Sequence, residues 1–246
     1  MAEIKDRLDK LIHDRGLAAS RDRAKALIME GKVVVNGHPA TKAGELVGTD
    51  ASIELKGEDN PYVSRGGLKL EAAFKHFQIS VRDKTAMDVG SSTGGFTDVM
   101  LQHGARRVYC IDVGYGQLAW KLRQDPNVVL LERTNIRHLE NNRIPEVIDI
   151  ATIDVSFISL TKVVPKVLEF LKDKGEIVAL IKPQFEVGKG EVGKGGIVKE
   201  ESKRIAVIAR IKEEFAAFGL HVTGIISSPI TGQKGNIEYL LYCIKT

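Results

Sequence analysis

The 246-residue sequence has two cysteines, one tryptophan and seven prolines, and no apolar run near the roughly 20 residues that a membrane-spanning helix needs. A helical membrane protein is therefore excluded. Cys110 and Cys243 each sit in a short apolar, strand-like stretch, so reduced core thiols are expected and neither a disulfide nor a metal site is. The opening residues carry both signs of charge from the third position and lack the ~7–15-residue apolar stretch of a secretory leader, which implies a cytoplasmic location. Repeats and low-complexity tracts are missing as well. Charge of one sign is also scarce: 36 Lys and Arg against 32 Asp and Glu leave a net charge of +4. Such a value is compatible with a nucleic-acid partner but decides no function class.

What is present divides in two. The length suits one large domain with a small appendage. Ile4, Leu8, Leu11 and Ile12 recur at helical spacing before Gly16, and Ser20 is placed to cap a second helix whose inner face is Ala24, Leu27 and Ile28. Val33 to Val35 and the Asn36-Gly37 pair then predict a strand and a tight turn, kept short by Pro39, with alternation resuming at Ile53 and Leu55. The polar stretch Gly57-Glu58-Asp59-Asn60-Pro61 reads as a linker. The expected domains are residues 1–60, with the linker, and 61–246.

Beyond the linker, apolar strands alternate with helical stretches. Strands are expected at 86–89, 108–113, 128–131, 148–153 and 177–181, forming a parallel sheet with helices on both faces. Two more, around 222–226 and 237–244, are separated by only ten residues, too few for a parallel crossover, so the last strand should be antiparallel. The expected fold class is α/β: a seven-stranded, mostly parallel, Rossmann-like sheet of the class I methyltransferase kind, plus a small amino-terminal α+β domain.

The first of these strands runs into Asp88-Val89-Gly90-Ser91-Ser92-Thr93-Gly94-Gly95-Phe96 and then a helix. Glycines at a strand-to-helix turn let backbone and ligand approach closely. The spacing is not the dinucleotide fingerprint, because Ser92 stands where its second glycine would be. It resembles motif I of S-adenosylmethionine enzymes. Asp112 follows the second strand, twenty-two residues after Gly90, near the spacing at which a carboxylate meets ribose hydroxyls. The candidate cofactor residues are thus Asp88, Gly90, Ser91, Ser92, Thr93, Gly94, Gly95, Phe96 and Asp112, with Asn135 after the third strand as a candidate adenine contact. Trp120, the sole tryptophan, suits either a buried core or an active-site role.

Four charged residues are candidates for catalysis. Asp154 and Lys182 close the fourth and fifth strands, at the edge where open α/β sheets bind ligands, and Glu238 begins the antiparallel last strand on that same edge. Lys69 lies on a helix before the first strand. In the order Lys69, Asp154, Lys182, Glu238 they match the tetrad of the FtsJ-like 2′-O-ribose methyltransferases. The stretches SRGGLKL, DVGSSTGGF, TIDVSFISL, IKPQFEVGKG and KGNIEYLLY make the chain similar to the TlyA hemolysin family of ribosomal RNA cytidine-2′-O-methyltransferases over essentially its whole length. The resemblance implies catalytic roles for the tetrad and S-adenosylmethionine binding at the glycine-rich turn. The reaction asks for alignment and removal of one proton, since the sulfonium methyl is already activated. A neutral lysine can take that proton. Lys69 and the sulfonium charge favour the neutral form of Lys182, whereas Asp154 and Glu238 oppose it.

The amino-terminal segment LIHDRGLAASRDRAKALIMEGKVVVNG resembles the alpha-L RNA-binding module. Net charge does not support this, with ten Lys and Arg against eleven Asp and Glu in residues 1–60. Clustering does: Arg15, Arg21, Arg23, Lys25, Lys32 and Lys42 gather around the second helix and hairpin, as candidate contacts to ribosomal RNA or ribosomal subunits. Three other readings compete. Gly188 to Gly195 approaches a phosphate-binding P-loop but lacks the required Ser or Thr at Gly195, and it is better read as a lid. A non-catalytic RNA-binding protein on this fold is opposed by the intact tetrad. A membrane-active hemolysin is opposed by the lack of a long apolar or strongly amphipathic segment.

Overall fold

The computed structural model describes residues 4–18, 20–56, 60–188, 190–193, 195–232 and 234–246. The centre of the expected linker, residues 57–59, and Lys189 and Lys194 of the P-loop-like run lie outside them. Two compact units are seen, residues 1–61 and 62–246.

The first unit contains β1 (Lys5–Arg7), α1 (Leu8–Asp14), α2 (Arg21–Met29), β2 (Val33–Val35), β3 (His38–Pro39), β4 (Leu46–Gly48) and β5 (Ile53–Leu55). Ser20 caps α2 as expected, its hydroxyl accepting from the Arg23 amide at 3.1 Å. Asn36 and Gly37, both at positive φ, turn β2 into β3, and β5 pairs with the other edge of β2. Leu8, Ile12, Leu27, Ile28 and Val33 fill the core. One expectation fails at the start. Ile4 is not helical but 74% exposed, and residues 5–7 form a strand against β4. The Leu8 amide donates to Glu45 O and the Thr49 amide to Ile4 O, so these main-chain groups are paired across to another strand instead of along a helix.

The second unit runs α3 (Gly66–Phe77), β6 (Thr85–Val89), α4 (Gly95–Gln102), β7 (Arg107–Ile111), α5 (Trp120–Arg123), β8 (Val128–Leu131), β9 (Ile148–Ile153), α6 (Val164–Phe170), β10 (Leu171–Ile181), α7 (Pro183–Glu186), α8 (Glu201–Ala217), β11 (Leu220–Ser227) and β12 (Tyr239–Lys245). Its seven strands lie in the order β11-β12-β10-β9-β6-β7-β8, and β12 runs antiparallel to both β10 and β11. The expected α/β sheet with an antiparallel last strand is what forms. Alternate residues of each strand feed opposite faces. Met87, Tyr109, Ala151 and Ile177 pack with α6 and α8, whereas Ala86, Val108, Ile150 and Val178 pack with α3 and α4. Covering both faces explains why the central strands read as continuous apolar runs. β10 begins earlier than expected, at Leu171, with a register irregularity before Glu176 that the polar Lys172-Asp173-Lys174 concealed.

Candidate active site

The chain turns opposite ways from β6, to β7 on one side and β9 on the other, so a crevice opens between the carboxyl ends of β6 and β9. Gly90 ends β6 with φ +85°, and a Cβ there would stand 2.3 Å from the Asp154 carbonyl oxygen. A Cβ on Gly95 would stand 2.4 Å from Ser64 Oγ and 2.9 Å from the Gly67 amide nitrogen. These glycines are required by chain packing against chain, which draws the turn, the end of β9 and the start of α3 around one cleft. Its volume is about 620 Å³, within the range of small-molecule sites. Asp88, Gly90, Ser91, Ser92, Thr93, Gly95 and Phe96 all line it, while Gly94 packs against Leu118 and Leu122.

The four candidate catalytic residues line the same cleft and form two ion pairs. Lys69 Nζ lies 2.6 Å from Glu238 Oε2, and both side chains are buried. Lys182 Nζ lies 2.5 Å from Asp154 Oδ1 and donates a hydrogen bond to Ser156 Oγ at 3.0 Å. The Phe185 ring centroid is 5.9 Å from the same nitrogen. Removing one partner of a buried pair costs about 3–5 kcal/mol, so a change at Lys69 or Glu238 would mix folding with chemistry. Lys182, on the more open pair, is the cleaner probe.

Asp88 ends fully enclosed, accepting from Thr97 Oγ1 at 2.6 Å and Thr152 Oγ1 at 3.2 Å. Burial, with the negative charge of Asp154 adding to it, pushes its carboxyl up to about 7 despite those hydrogen bonds. Among the described residues, buried Ser91 Oγ has no hydrogen-bond partner and neither has Gln184 Oε1, and both residues line the cleft. Unsatisfied buried oxygens beside a row of hydroxyls suit a polar ligand such as S-adenosylmethionine. Asp112 and Asn135 do not line the cleft. Asp112 accepts from the amides of Ser92 and Gly114, each at 2.7 Å, and so braces the turn. Asn135 caps a short 3-10 turn through the Arg137 amide. Trp120, 71% exposed at the start of α5, belongs neither to the core nor to the cleft lining.

Other residues in or beside the cleft were not singled out in the sequence, although they fall within the stretches that carry the resemblance. Glu186 is buried, with Oε1 accepting from the Leu160 amide at 2.8 Å and Oε2 from Ser159 Oγ at 2.7 Å and Arg210 at 3.2 Å. It joins the segment after β9 to the one after β10. Phe157, 90% exposed, lies 4.9 Å from Phe185 between ring centroids at the cleft. An isolated Ser, Gln or Glu has no spacing rule that would have revealed these contacts.

In the first unit the basic cluster is largely engaged within the fold. Arg15 donates to Ala51 O and Thr49 O at 2.7 and 2.8 Å, and Arg21 pairs with the enclosed carboxylate of Asp9 at 3.0 Å. Hydrogen bonds from Arg7, with Arg21 adding to them, hold Asp9 down to about 2. Arg23 donates to Asn60 O at 3.1 Å, Lys25 pairs with Asp22 at 2.9 Å, and Lys32 approaches Glu30 at 3.7 Å. Lys42 is exposed and has no acidic partner among the described residues.

Comparison with known proteins matches residues 62–245 to the FtsJ-like methyltransferase family and residues 6–53 to the S4 domain. The chain is 49% identical to the Bacillus subtilis protein named "Putative rRNA methyltransferase YqxC", over 98% of this chain and 86% of that one. It is 44% identical to the Mycobacterium tuberculosis 16S/23S rRNA (cytidine-2′-O)-methyltransferase TlyA, over 96% and 88% of the two chains. A solved structure described as a "Putative hemolysin from Streptococcus thermophilus" superposes with a TM-score of 0.79 at 46% identity, covering 100% of this chain and 90% of that one. With the glycine-rich turn and the four charged side chains gathered at one sheet edge, the chain belongs to the FtsJ-like methyltransferase family and carries an S4 domain ahead of the catalytic fold.

Proposed function

We propose that this protein is a cytoplasmic enzyme that transfers a methyl group from S-adenosylmethionine to a ribose 2′-hydroxyl of ribosomal RNA, at cytidine in 16S RNA, 23S RNA or both. Residues 1–60 would engage the ribosomal subunit, and residues 61–246 would hold the cofactor and the chemistry. The observation that carries the reading is the convergence of Lys69, Asp154, Lys182 and Glu238 on one cleft beside the glycine-rich turn. The names of the relatives support the choice of substrate.

Ser91, Ser92, Thr93, Gly95 and Phe96 would hold the cofactor, with Asp112 keeping Ser92 in place. When bound, S-adenosylmethionine supplies an electrophilic methyl whose bonding pair stays on sulfur as the carbon joins the ribose oxygen. Lys182, as the neutral amine, takes the hydroxyl proton, and the oxygen pair so released forms the new bond. Asp154 compensates the ammonium that results. The Lys69–Glu238 pair presents a donor and an acceptor that fix the hydroxyl's direction.

The test is single-turnover methylation of separated ribosomal subunits with labelled cofactor, followed by mapping of ribose methylation. Lys182→Ala should lower the rate by about 10²–10⁴-fold, the usual scale of general-base removal. Lys182→Arg should fail as badly, because a guanidinium stays protonated at any usable pH. An arginine variant with near wild-type turnover would exclude lysine as the base. Among the described residues no helix is long and apolar enough to cross a membrane. Leakage of lipid vesicles caused by the purified protein would favour the membrane-active reading instead.

A further inference from the structure

We propose that Ser156 is a positioning residue that aims the Lys182 lone pair at the substrate hydroxyl; this rests on the reading of Lys182 as the proton acceptor. A neutral lysine amine has two N–H bonds and one lone pair, and its terminal C–N bond rotates among three staggered wells. Proton removal proceeds only when the lone pair, and not an N–H, faces the ribose. Asp154 Oδ1 stands 2.5 Å from Nζ and draws one N–H, which still leaves the second N–H and the lone pair free to exchange places. Ser156 Oγ, which accepts a hydrogen bond from Nζ at 3.0 Å, takes that second N–H and so settles the rotor. With the Phe185 ring on a further side, the two donors are spoken for and the lone pair is left to the cleft. After transfer the ammonium has three N–H bonds, met by Asp154, Ser156 and the new ether oxygen.

The local chain is built for this pairing. Ser156 follows Asp154 by two residues on the turn after β9, where Phe157 takes φ +63°, so one turn delivers both partners of Lys182. Ser156 is exposed, and its hydroxyl makes no other hydrogen bond among the described residues. Its removal therefore leaves no buried polar group orphaned in the core. The other charged side chains lining the cleft are Arg65 and Lys69 at the start of α3, Asp88 at the end of β6, and Lys234 and Glu238 before β12.

The experiment compares Ser156→Ala, Ser156→Thr and Ser156→Val with the full-length wild type in single-turnover methylation of ribosomal subunits between pH 6 and 10, alongside calorimetric cofactor binding. Threonine and valine have nearly the same shape and differ by the hydroxyl alone. Alanine and valine should slow methyl transfer by about 10- to 10²-fold, the scale of a misaligned reacting group. Threonine should stay within a few-fold of wild type. Cofactor affinity should hold within about twofold in every variant. The deficit of alanine and valine should persist at the alkaline end of the range; had the serine acted on how readily the amine loses its proton, raising the pH would close the gap. Equal rates for threonine and valine, or a deficit that vanishes at high pH, would overturn the inference while leaving Lys182 as base. Failure of wild type to methylate ribose, or an active Lys182→Ala, would overturn the underlying reading and this inference with it.

Discussion

At the scale of single residues, the informative side chains are those whose surroundings oppose their charge. Asp88 is enclosed at the end of β6, and its carboxyl is pushed up to about 7. The unfolded chain releases that proton near 3.8, so between those values the folded state binds more protons and stability falls as pH rises. The contribution is complete below about 3.8 and is lost as pH climbs through about 7, on the order of 4 kcal/mol at 1.36 kcal/mol per unit. Asp88→Asn should therefore show a flatter stability profile than wild type across that interval in urea titrations, and a parallel decline in both would refute the assignment. Asp112 makes a different point. It stands where the sequence predicts a ribose contact, yet its carboxylate holds the Ser92 and Gly114 amides. Asp112→Ala should weaken cofactor binding by about 1–3 kcal/mol, whether through the ligand or through the loosened turn, because charge-assisted hydrogen bonds are lost either way. Unchanged affinity in calorimetry would remove it from the site.

Between elements, the decisive contact is Glu186. Its carboxylate ties Ser159 and Leu160, beyond β9, to α7 and, through Arg210, to α8. The segments carrying Asp154 and Lys182 are thereby locked together. Glu186→Ala should lower the single-turnover rate by roughly 10²-fold with modest loss of cofactor affinity, as misplacement of a reacting pair does. It should also destabilise the unit, since Arg210 and the Leu160 amide lose their partner; a variant with full activity would show that the lock is dispensable. The amino-terminal elements carry the opposite lesson. Arg15 and Arg21 were legible as a basic cluster, but Arg15 secures the carbonyls of Ala51 and Thr49 and Arg21 neutralises the enclosed Asp9. A charge reversal at Arg21 would set a like charge against that carboxylate and leave Arg7 as its partner, whereas Lys42, exposed and without an acidic partner among the described residues, reports on RNA binding with less disturbance.

For the whole molecule, each unit has its own apolar core, Leu8 to Ala51 in one and the two faces of the seven-stranded sheet in the other. A fragment of residues 62–246 should therefore fold and bind S-adenosylmethionine while losing most methylation of ribosomal subunits, and methylation at the full rate would make the amino-terminal unit dispensable for targeting. Sequence alone determined the sheet, its antiparallel last strand, the glycine-rich turn and the identity of four charged candidates. Those follow from local periodicity, turn chemistry and residue type, which are written along the chain. Only the tertiary structure decided that Lys69 pairs with Glu238 across 169 positions, that Gly90 yields to the Asp154 backbone, and that Asp112 faces the turn. It also decided that Ser156 partners Lys182 and that Glu186 ties the segments beyond β9 and β10 together. Such pairings depend on which strand ends the sheet order makes neighbours, and a polar side chain shows no preference for a partner until the packed sheet brings one within reach.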